Sequence, residues 1–495
     1  MEDNKKQNRL IWLIFGISIT TLFVMSSVAY IGWGLLNKKI NQQLLDTKDR
    51  QVIAKNYAGG LQDSPFGFHP ALPYGEAEKI GVQWTRGGNF PYLFWSIVDS
   101  KETGDPKQFK WKGSTTGPNG QPATVNYDAI FDIQKTGLSV MLNIQPEPIL
   151  GPYSKKDSWV PVNETAYRNF VKEAVKRYSF VKYWQVGNEP NMDPNGPTDF
   201  SELQRITYEA IKEANPEAQV IMGGVAGNMS LFDMNDDYFE PVLKKLNGKY
   251  VDIFDIHFYG DAMGGTSTTT KGRVLGYKDF KTVHDYYRNL LDKNGFKNVP
   301  IWSTEMGTFS GLWMPVGLKQ TEVDQAKDLV RRHVYLLSMG VKKIFWAFGL
   351  IEGFNEWDND FFDLTGLIYG GQDRVHSSEE KKLGYYSYKL MTEKLEGSDW
   401  SSIEKVQEKG GVYIYKFTKQ GKPVWVAWND NKQEKQIVIS GFNSNQAVIT
   451  DSVPKYESGK EVLSYGTSFN VETKTVELGK ITLILKNKPV FVEEK

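Results

Sequence analysis

Residues 181–190 read VKYWQVGNEP, and behind them come FSELQRITYEAIKEA (200–214) and QVIMG (219–223). The first and third stretches are short, rich in β-branched and aromatic residues and bounded by Gly or Pro, which is strand chemistry. The middle stretch carries apolar residues three and four apart, which is the spacing of an amphipathic helix. Strand, helix and strand in this order make one parallel βαβ unit. The same rhythm extends in both directions. It predicts eight strands at Phe66–His69, Val82–Arg86, Ser139–Ile144, Val181–Gly187, Gln219–Gly223, Val251–Phe258, Pro300–Thr304 and Lys343–Phe348. Helical patterns lie between them at Ala166–Tyr178, Phe200–Ala214, Lys278–Leu291 and Thr321–Met339. Eight β/α repeats predict a (β/α)8 TIM barrel of the α/β class. An open doubly wound sheet is the rival architecture, but the Gly-rich phosphate loop expected after its first strand is missing.

The pattern changes beyond a last helix around Tyr385–Leu395. Gly411–Thr418, Val424–Trp428, Gln436–Ile439, Gln446–Ile449 and Ile481–Leu485 are short, alternating and separated by Gly, Asn, Asp and Lys. They predict a C-terminal antiparallel β-sandwich over 399–495, packed on a barrel over 61–398 and closed by a strand near 56–61. The stretches Gly113–Pro122 and Gly260–Thr270 read as loops at the mouth of the barrel.

At the other end, Leu10–Leu36 runs 27 residues without a charge. As a helix it would reach roughly 40 Å, enough to span a bilayer with some tilt. Residues 1–9, with Lys5, Lys6 and Arg9, then form a short cytoplasmic N-terminus, and 37–60 a polar stalk. The large domain is thereby expected outside the cytoplasm, held by a single-pass anchor at the cell membrane. The rival reading is a cleaved signal peptide and a secreted protein, since Ser27 and Ala29 suit a cleavage site. The apolar run is long for that role and continues past the cut.

Composition narrows the chemistry. The chain has 495 residues, 59 Lys+Arg against 59 Asp+Glu, five His and no Cys. Without cysteine there is no disulfide framework, thiolate metal site or cysteine nucleophile, and five scattered histidines argue against a zinc enzyme. No metal and no cofactor are expected. Zero net charge argues against a nucleic-acid partner, which calls for clustered cations. Aromatic residues make up 13% of the chain, enough for cores and for sugar-stacking surfaces.

Carboxylates remain as the chemical resource, and two fall at informative places. In a (β/α)8 barrel the C-terminal ends of the strands face the active-site mouth. Glu189 ends the fourth strand in Gly187-Asn188-Glu189-Pro190, and Glu305 ends the seventh in Ser303-Thr304-Glu305-Met306. Two carboxyl groups flanking one sugar linkage are what glycosidic cleavage requires: one protonates the leaving oxygen, the other attacks or activates water.

With Asn188-Glu189-Pro190 after strand four and Thr304-Glu305 at strand seven, the chain resembles clan A of the glycoside hydrolases, over Pro65 to about Leu395. Within the clan it looks most like family 39, which includes β-xylosidases and exopolysaccharide-degrading endoglycosidases. The resemblance implies a retaining enzyme with Glu189 as acid/base and Glu305 as nucleophile. It further implies substrate-binding roles for Arg86 and Tyr259, beside the nucleophile, and for Asn188, on the sugar 2-hydroxyl. His257 is a candidate hydroxyl donor or support for the acid/base. Trp346 is the candidate aromatic platform and Asn143 a candidate polar subsite contact. Glu147, Glu352 and Glu356 read as solvated loop acids, with binding of sugar hydroxyls or a cationic sugar as the alternative, and Trp95, Trp111, Trp159, Trp313 and Trp357 as packing residues in the connections, with stacking on sugars as the alternative for some.

The expected function is therefore a membrane-anchored retaining glycoside hydrolase acting on a β-linked oligo- or polysaccharide, such as a cell-surface exopolysaccharide. Two alternatives stand beside it: a noncatalytic carbohydrate-binding component of an envelope polysaccharide system, and a transglycosylase.

Overall fold

The computed structural model describes residues 63–88, 92–116, 122–146, 160–161, 163–192, 196–226, 238–260, 276–313, 317–353, 361–371 and 376–495. The expected N-terminus 1–9, anchor 10–36, stalk 37–60 and closing strand 56–61 lie outside them. Among the described residues no helix is long and apolar enough to cross a membrane.

Eight parallel strands form the first sheet: β1 Phe66–His69, β2 Trp84–Arg86, β3 Ser139–Gln145, β4 Tyr183–Val186, β5 Gln219–Met222, β6 Phe254–His257, β7 Ile301–Met306 and β8 Ile344–Ala347. Each is one of the expected strands, with ends displaced by at most three residues. They pair in sequence order from β1 to β5 and from β6 to β8, and β8 returns to β1. Between β5 and β6 the seam is joined by the parallel bridge Ile221–Ile253, and by Val225–Ala226, a continuation of β5 that pairs with Ile256 and His257. The sheet closes into a barrel.

Connecting helices are α1 Tyr74–Lys79, α2 Trp95–Val98, α3 Phe131–Gln134, α4 Glu164–Arg177, α5 Pro197–Ala214, α6 Phe239–Leu246, α7 Phe280–Lys293, α8 Glu322–Ser338 and α9 Leu383–Leu395. α8 starts where the sequence supplies a reciprocal cap: Thr321 Oγ1 accepts from Asp324 N at 3.0 Å, and Thr321 N donates to Asp324 Oδ2 at 3.1 Å. The β2–β3 connection is more structured than the expected loop at 113–122. Its described parts are the arms of an antiparallel hairpin, Lys112–Thr116 and Pro122–Asn126. The segment Tyr92–Phe94 also pairs with the upper half of β3.

Side chains alternate along a strand, so each barrel strand feeds two cores. Outward residues such as Phe68, Leu142, Trp184, Phe254 and Trp346 pack under the helices. Inward, Trp84, Met141, Ile221, Ile253, Trp302 and Phe345 form a separate buried cluster with Tyr183 against it, and the Trp84 ring stands 5.5 Å from that of Trp302. This apolar plug fills the barrel. Two residues farther along the same strands, at the next inward positions, are Arg86, Asn143, Gln185, Asp255 and Thr304.

The C-terminal strands are β9 Glu404–Lys409, β10 Val412–Lys419, β11 Lys422–Asn429, β12 Lys435–Ser440, β13 Gln446–Asp451, β14 Val471–Thr475, β15 Lys480–Leu485 and β16 Val490–Glu494. They form a six-stranded antiparallel sheet, in the order β9-β10-β11-β16-β13-β14, and the pair β12-β15. Alternation again divides the faces. Ile414, Trp425 and Ala427 meet Ile437 and Leu483 between the two sheets, whereas Tyr415, Val426 and Trp428 join the core of the barrel's helical layer. The Trp428 indole donates to Tyr277 Oη at 2.8 Å, and Tyr277 Oη in turn donates to Asp430 at 2.8 Å.

Candidate active site

Glu305 is the centre of the charged network. A register shift in β7 between Ser303 and Met306 brings both Thr304 and Glu305 toward the barrel interior, as a bulge does. Glu305 Oε1 pairs with the Arg86 guanidinium, and Oε2 accepts from Tyr259 Oη at 2.7 Å. Both side chains of the ion pair are almost wholly buried. Burial alone would lower the Arg86 pKa, but Tyr92, Glu305 and Asp255 around it hold it above the usual value. Burial and the adjacent carboxylates push the Tyr259 hydroxyl well above its ordinary range, so it remains a donor.

Glu189 follows β4 in a tight exit. Gly187 has φ +69° and Glu189 itself φ +43°, a left-handed conformation uncommon for a residue with a side chain. The turn is held by Asn143, whose amide donates to Gly187 O, and by Met192 N, which donates to Glu189 O at 2.8 Å. The side chain is about one quarter exposed, against 4% for Glu305. Carboxylate oxygens of Glu189 and Glu305 and a ring nitrogen of His257 all lie within 4.8 Å of one another. That spacing is open to a cation. The described protein groups around it are His257 between the two carboxylates, and Arg86 and Tyr259 on Glu305.

His257 links the two acids. Its Nδ1 lies 2.8 Å from Glu189 Oε1 and 3.4 Å from Glu305 Oε2, and its Nε2 lies 3.1 Å from both Asp255 Oδ2 and Thr304 Oγ1. Burial works against a charged ring, but Glu305, Asp255 and Glu189 raise its pKa to about 10. Gly224 makes room for it, since a Cβ at that position would overlap the imidazole.

The remaining expected residues divide. Arg86 NH2 donates to Asn188 Oδ1 at 2.5 Å and to Gln185 Oε1 at 2.6 Å, so Asn188 belongs to the network. Asn143 is fully buried beneath Gly187 and supports the turn. Trp346 is a correction: it is not a platform at the mouth. Its neighbour Phe345 faces the barrel interior, so alternation turns Trp346 outward, where its indole donates to Thr365 O at 2.9 Å and stacks on His333 of α8. The ring beside the Glu305 network is instead Phe348, just past β8, 5.0 Å from the His69 and Phe362 rings. Glu352 is also not solvated; it is buried in an ion pair with Lys382. Trp95 and Trp111 are packed. Trp313 stands beside Phe309 and Phe361, in a cluster that includes Tyr259 and Phe348. Glu147, Glu356, Trp159, Trp357 and nearly all of 260–270 lie outside the described residues.

Five contributors escaped the sequence reading: Gln185, Asp255, Thr304, His69 and Phe348. Gln185 Nε2 donates to Asp255 Oδ2 at 2.6 Å, and Thr304 N donates to Asp255 Oδ1 at 2.8 Å. His69 Nδ1 lies 3.1 Å from Arg86 O and its Nε2 3.7 Å from Glu305 Oε1; burial, then the charge of Arg86, hold its pKa well below the usual value. The available signal was a polar residue two positions beyond an inward apolar one, as in Tyr183/Gln185 and Ile253/Asp255.

A family model described as Cellulase (glycosyl hydrolase family 5) matches residues 108–349. No curated protein matches the chain. Among solved structures, a family 39 glycoside hydrolase from the gut symbiont Bacteroides cellulosilyticus WH2 is similar at 17% identity and TM-score 0.60, over 87% of this chain and 81% of that one. A monomeric β-xylosidase from Caulobacter crescentus CB15 gives 13% and 0.55, over 88% and 96%. An α-L-arabinofuranosidase from Thermotoga maritima gives 14% and 0.54, over 85% and 89%. At these identities the structures speak for the fold, a barrel followed by an antiparallel β domain. The family-model match lies within the barrel and spans just under half of the chain; it supports the resemblance to clan A of the glycoside hydrolases and an O-glycosyl hydrolase activity.

Proposed function

We propose that the protein is a membrane-anchored glycosidase that cleaves a β-linked oligo- or polysaccharide by double displacement, with Glu305 as nucleophile and Glu189 as acid/base. The observation that carries this reading is the approach of their carboxylate oxygens to within 4.8 Å. Retaining enzymes hold the two groups ~5–5.5 Å apart and inverting ones ~6.5–9.5 Å. The surroundings support the division of labour. Glu305 has a buried cation and a phenol donor, which suit an ionised nucleophile, whereas Glu189 is more exposed and contacts a titratable ring.

The test is turnover of a β-glycan and aryl β-glycoside panel, with product anomers followed by proton NMR. Net retention is expected, and Glu189→Gln and Glu305→Gln are each expected to lose turnover. Net inversion, or wild-type turnover in either variant, overturns the assignment. A binding protein without catalysis would retain glycan affinity in both variants and show no wild-type turnover.

The anchor reading rests on the uncharged run Leu10–Leu36. It puts the barrel outside the cytoplasm, acting on polymer at the cell surface. Protease added to intact cells is expected to digest the barrel; protection lost only on lysis contradicts that orientation, and release into the medium favours signal cleavage.

A further inference from the structure

Asp255 is fully buried and its carboxylate is crowded with donors. Oδ1 accepts from Thr304 N at 2.8 Å, and Oδ2 accepts from Gln185 Nε2 at 2.6 Å and from the Thr304 hydroxyl. His257 Nε2 is 3.1 Å from the same Oδ2. A carboxylate placed there is an acceptor only, so the imidazole must present an Nε2–H to it. Fixing that proton leaves Nδ1 as the titrating nitrogen, and Nδ1 is the atom that faces Glu189 at 2.8 Å. An aspartate behind a histidine sets tautomer and orientation in this way in hydrolases with different chemistry.

We propose that Asp255 is a positioning residue: by holding His257 through Nε2, it makes Nδ1 and the Glu189 carboxylate share one proton, the proton later given to the leaving sugar oxygen. This inference rests on the glycosidase reading above and deepens it. The groups facing His257 fit. Glu189 from β4 and Glu305 from β7 are acidic, Asp255 lies on its own strand, and Arg86 from β2, His69 from β1, Tyr92 and Tyr259 surround Glu305. β5 contributes Gly224, which carries no charge. With three carboxylates close by, the ring holds its proton in the free enzyme, in keeping with a pKa raised to about 10.

The step balances without any added reagent. As substrate displaces water, the proton moves from Nδ1 to Glu189, leaving a neutral ring still donating through Nε2. Glu189 passes it to the glycosidic oxygen while the C1–O bond breaks, its electron pair going to that oxygen, and a Glu305 oxygen bonds to C1. In the second step Glu189 takes a proton from water, whose oxygen bonds to C1 as Glu305 leaves. Return of that proton to Nδ1 restores the starting state.

The test has two arms. In the full-length protein in detergent, carrying 15N-histidine, the His257 resonances are assigned by their loss in His257→Gln. Wild type is expected to be doubly protonated at pH 8, and Asp255→Asn to move its midpoint toward the ordinary ~6.5 or to the Nδ1–H tautomer. A neutral Nδ1–H ring in wild type, or an unchanged midpoint in the variant, overturns the proposal. If Asp255→Asn does not fold, the wild-type spectrum alone decides between these tautomers. In the second arm, the folded variant is expected to lose about 100-fold in kcat/KM on phenyl β-glycosides, whose leaving group needs a proton, and to be nearly unaffected on 2,4-dinitrophenyl β-glycosides. Equal losses on both would mark a structural role and overturn it. If wild type cleaves no aryl glycoside, the glycosidase reading is what fails, and the nitrogen spectra still decide the role of Asp255.

Discussion

Arg86 and Glu305 are 219 positions apart in sequence and meet as an ion pair with both side chains sealed from solvent. The same guanidinium holds Gln185 and Asn188, so one residue of β2 spans contacts from β4 to β7. A lysine in its place supplies one point charge without the fork. Arg86→Lys is expected to remain folded and to lose roughly 100-fold in kcat/KM, from charge-assisted hydrogen bonds worth ~1.5–3 kcal/mol each. Arg86→Ala leaves a buried carboxylate uncompensated and is expected to cost about 3–5 kcal/mol in a denaturant melt. Wild-type kinetics in the lysine variant would show that the fork is dispensable.

Tyr259 gives Glu305 its second donor, on the oxygen opposite the Arg86 contact. Tyr259→Phe keeps the ring in its aromatic cluster and removes only the hydroxyl. Activity is expected to fall about 10–100-fold, the worth of one hydrogen bond to a charged group, with little change in melting temperature. A large loss of stability with normal activity would assign the hydroxyl to packing instead.

The division of labour along and just past β8 is checked by two substitutions. Trp346→Phe removes an indole hydrogen bond from the helical layer and is expected to lower stability by ~1–3 kcal/mol while leaving KM alone. Phe348→Ala is expected to do the reverse and cut kcat/KM roughly tenfold by removing a ring beside the Glu305 network. A KM effect confined to Trp346→Phe would restore the tryptophan as the platform.

His333 provides a pH dependence outside the site. Burial lowers its pKa to about 4, and Nδ1 lies 2.8 Å from Leu329 O. Between about 4 and the unfolded value of ~6.5, the unfolded chain binds a proton that the folded chain refuses. Stability from this group is therefore complete above ~6.5 and lost as pH falls through that window, by up to ~3 kcal/mol. His333→Phe is expected to flatten the acid side of the melting-temperature profile relative to wild type. Parallel profiles would remove His333 from the explanation.

What the sequence made legible follows from range. Barrel strands are recognisable because their apolar runs are local, and Glu189 and Glu305 because strand ends are. Register is not local: Phe345 packs inward on Trp302 and Trp84, which turns Trp346 outward, whereas Phe348 lies past the end of β8, where strand alternation no longer assigns a face. Asp255 and Gln185 are 70 positions apart, and their meaning appears only when the strands are side by side. In the C-terminal domain, β9 escaped because EKVQEK is largely exposed on both faces, and so offers no alternation of hydrophobicity. β16 escaped for another reason. Its VFV core looks like a tail until it is seen between β11 and β13 at the centre of the sheet.

Among the described residues, the apolar plug closes the barrel beneath the site. With Trp84, Trp302, Phe345 and their neighbours closing the floor, the proposed double displacement would bring incoming water and the departing sugar past the same side of the glutamates. On that proposal, a leaving sugar that lingers there would stand in the way of water and present its own hydroxyls to the glycosyl-enzyme intermediate. Traffic on that side, more than any change in the acids themselves, would then govern whether the glycosyl group goes to water or to another sugar.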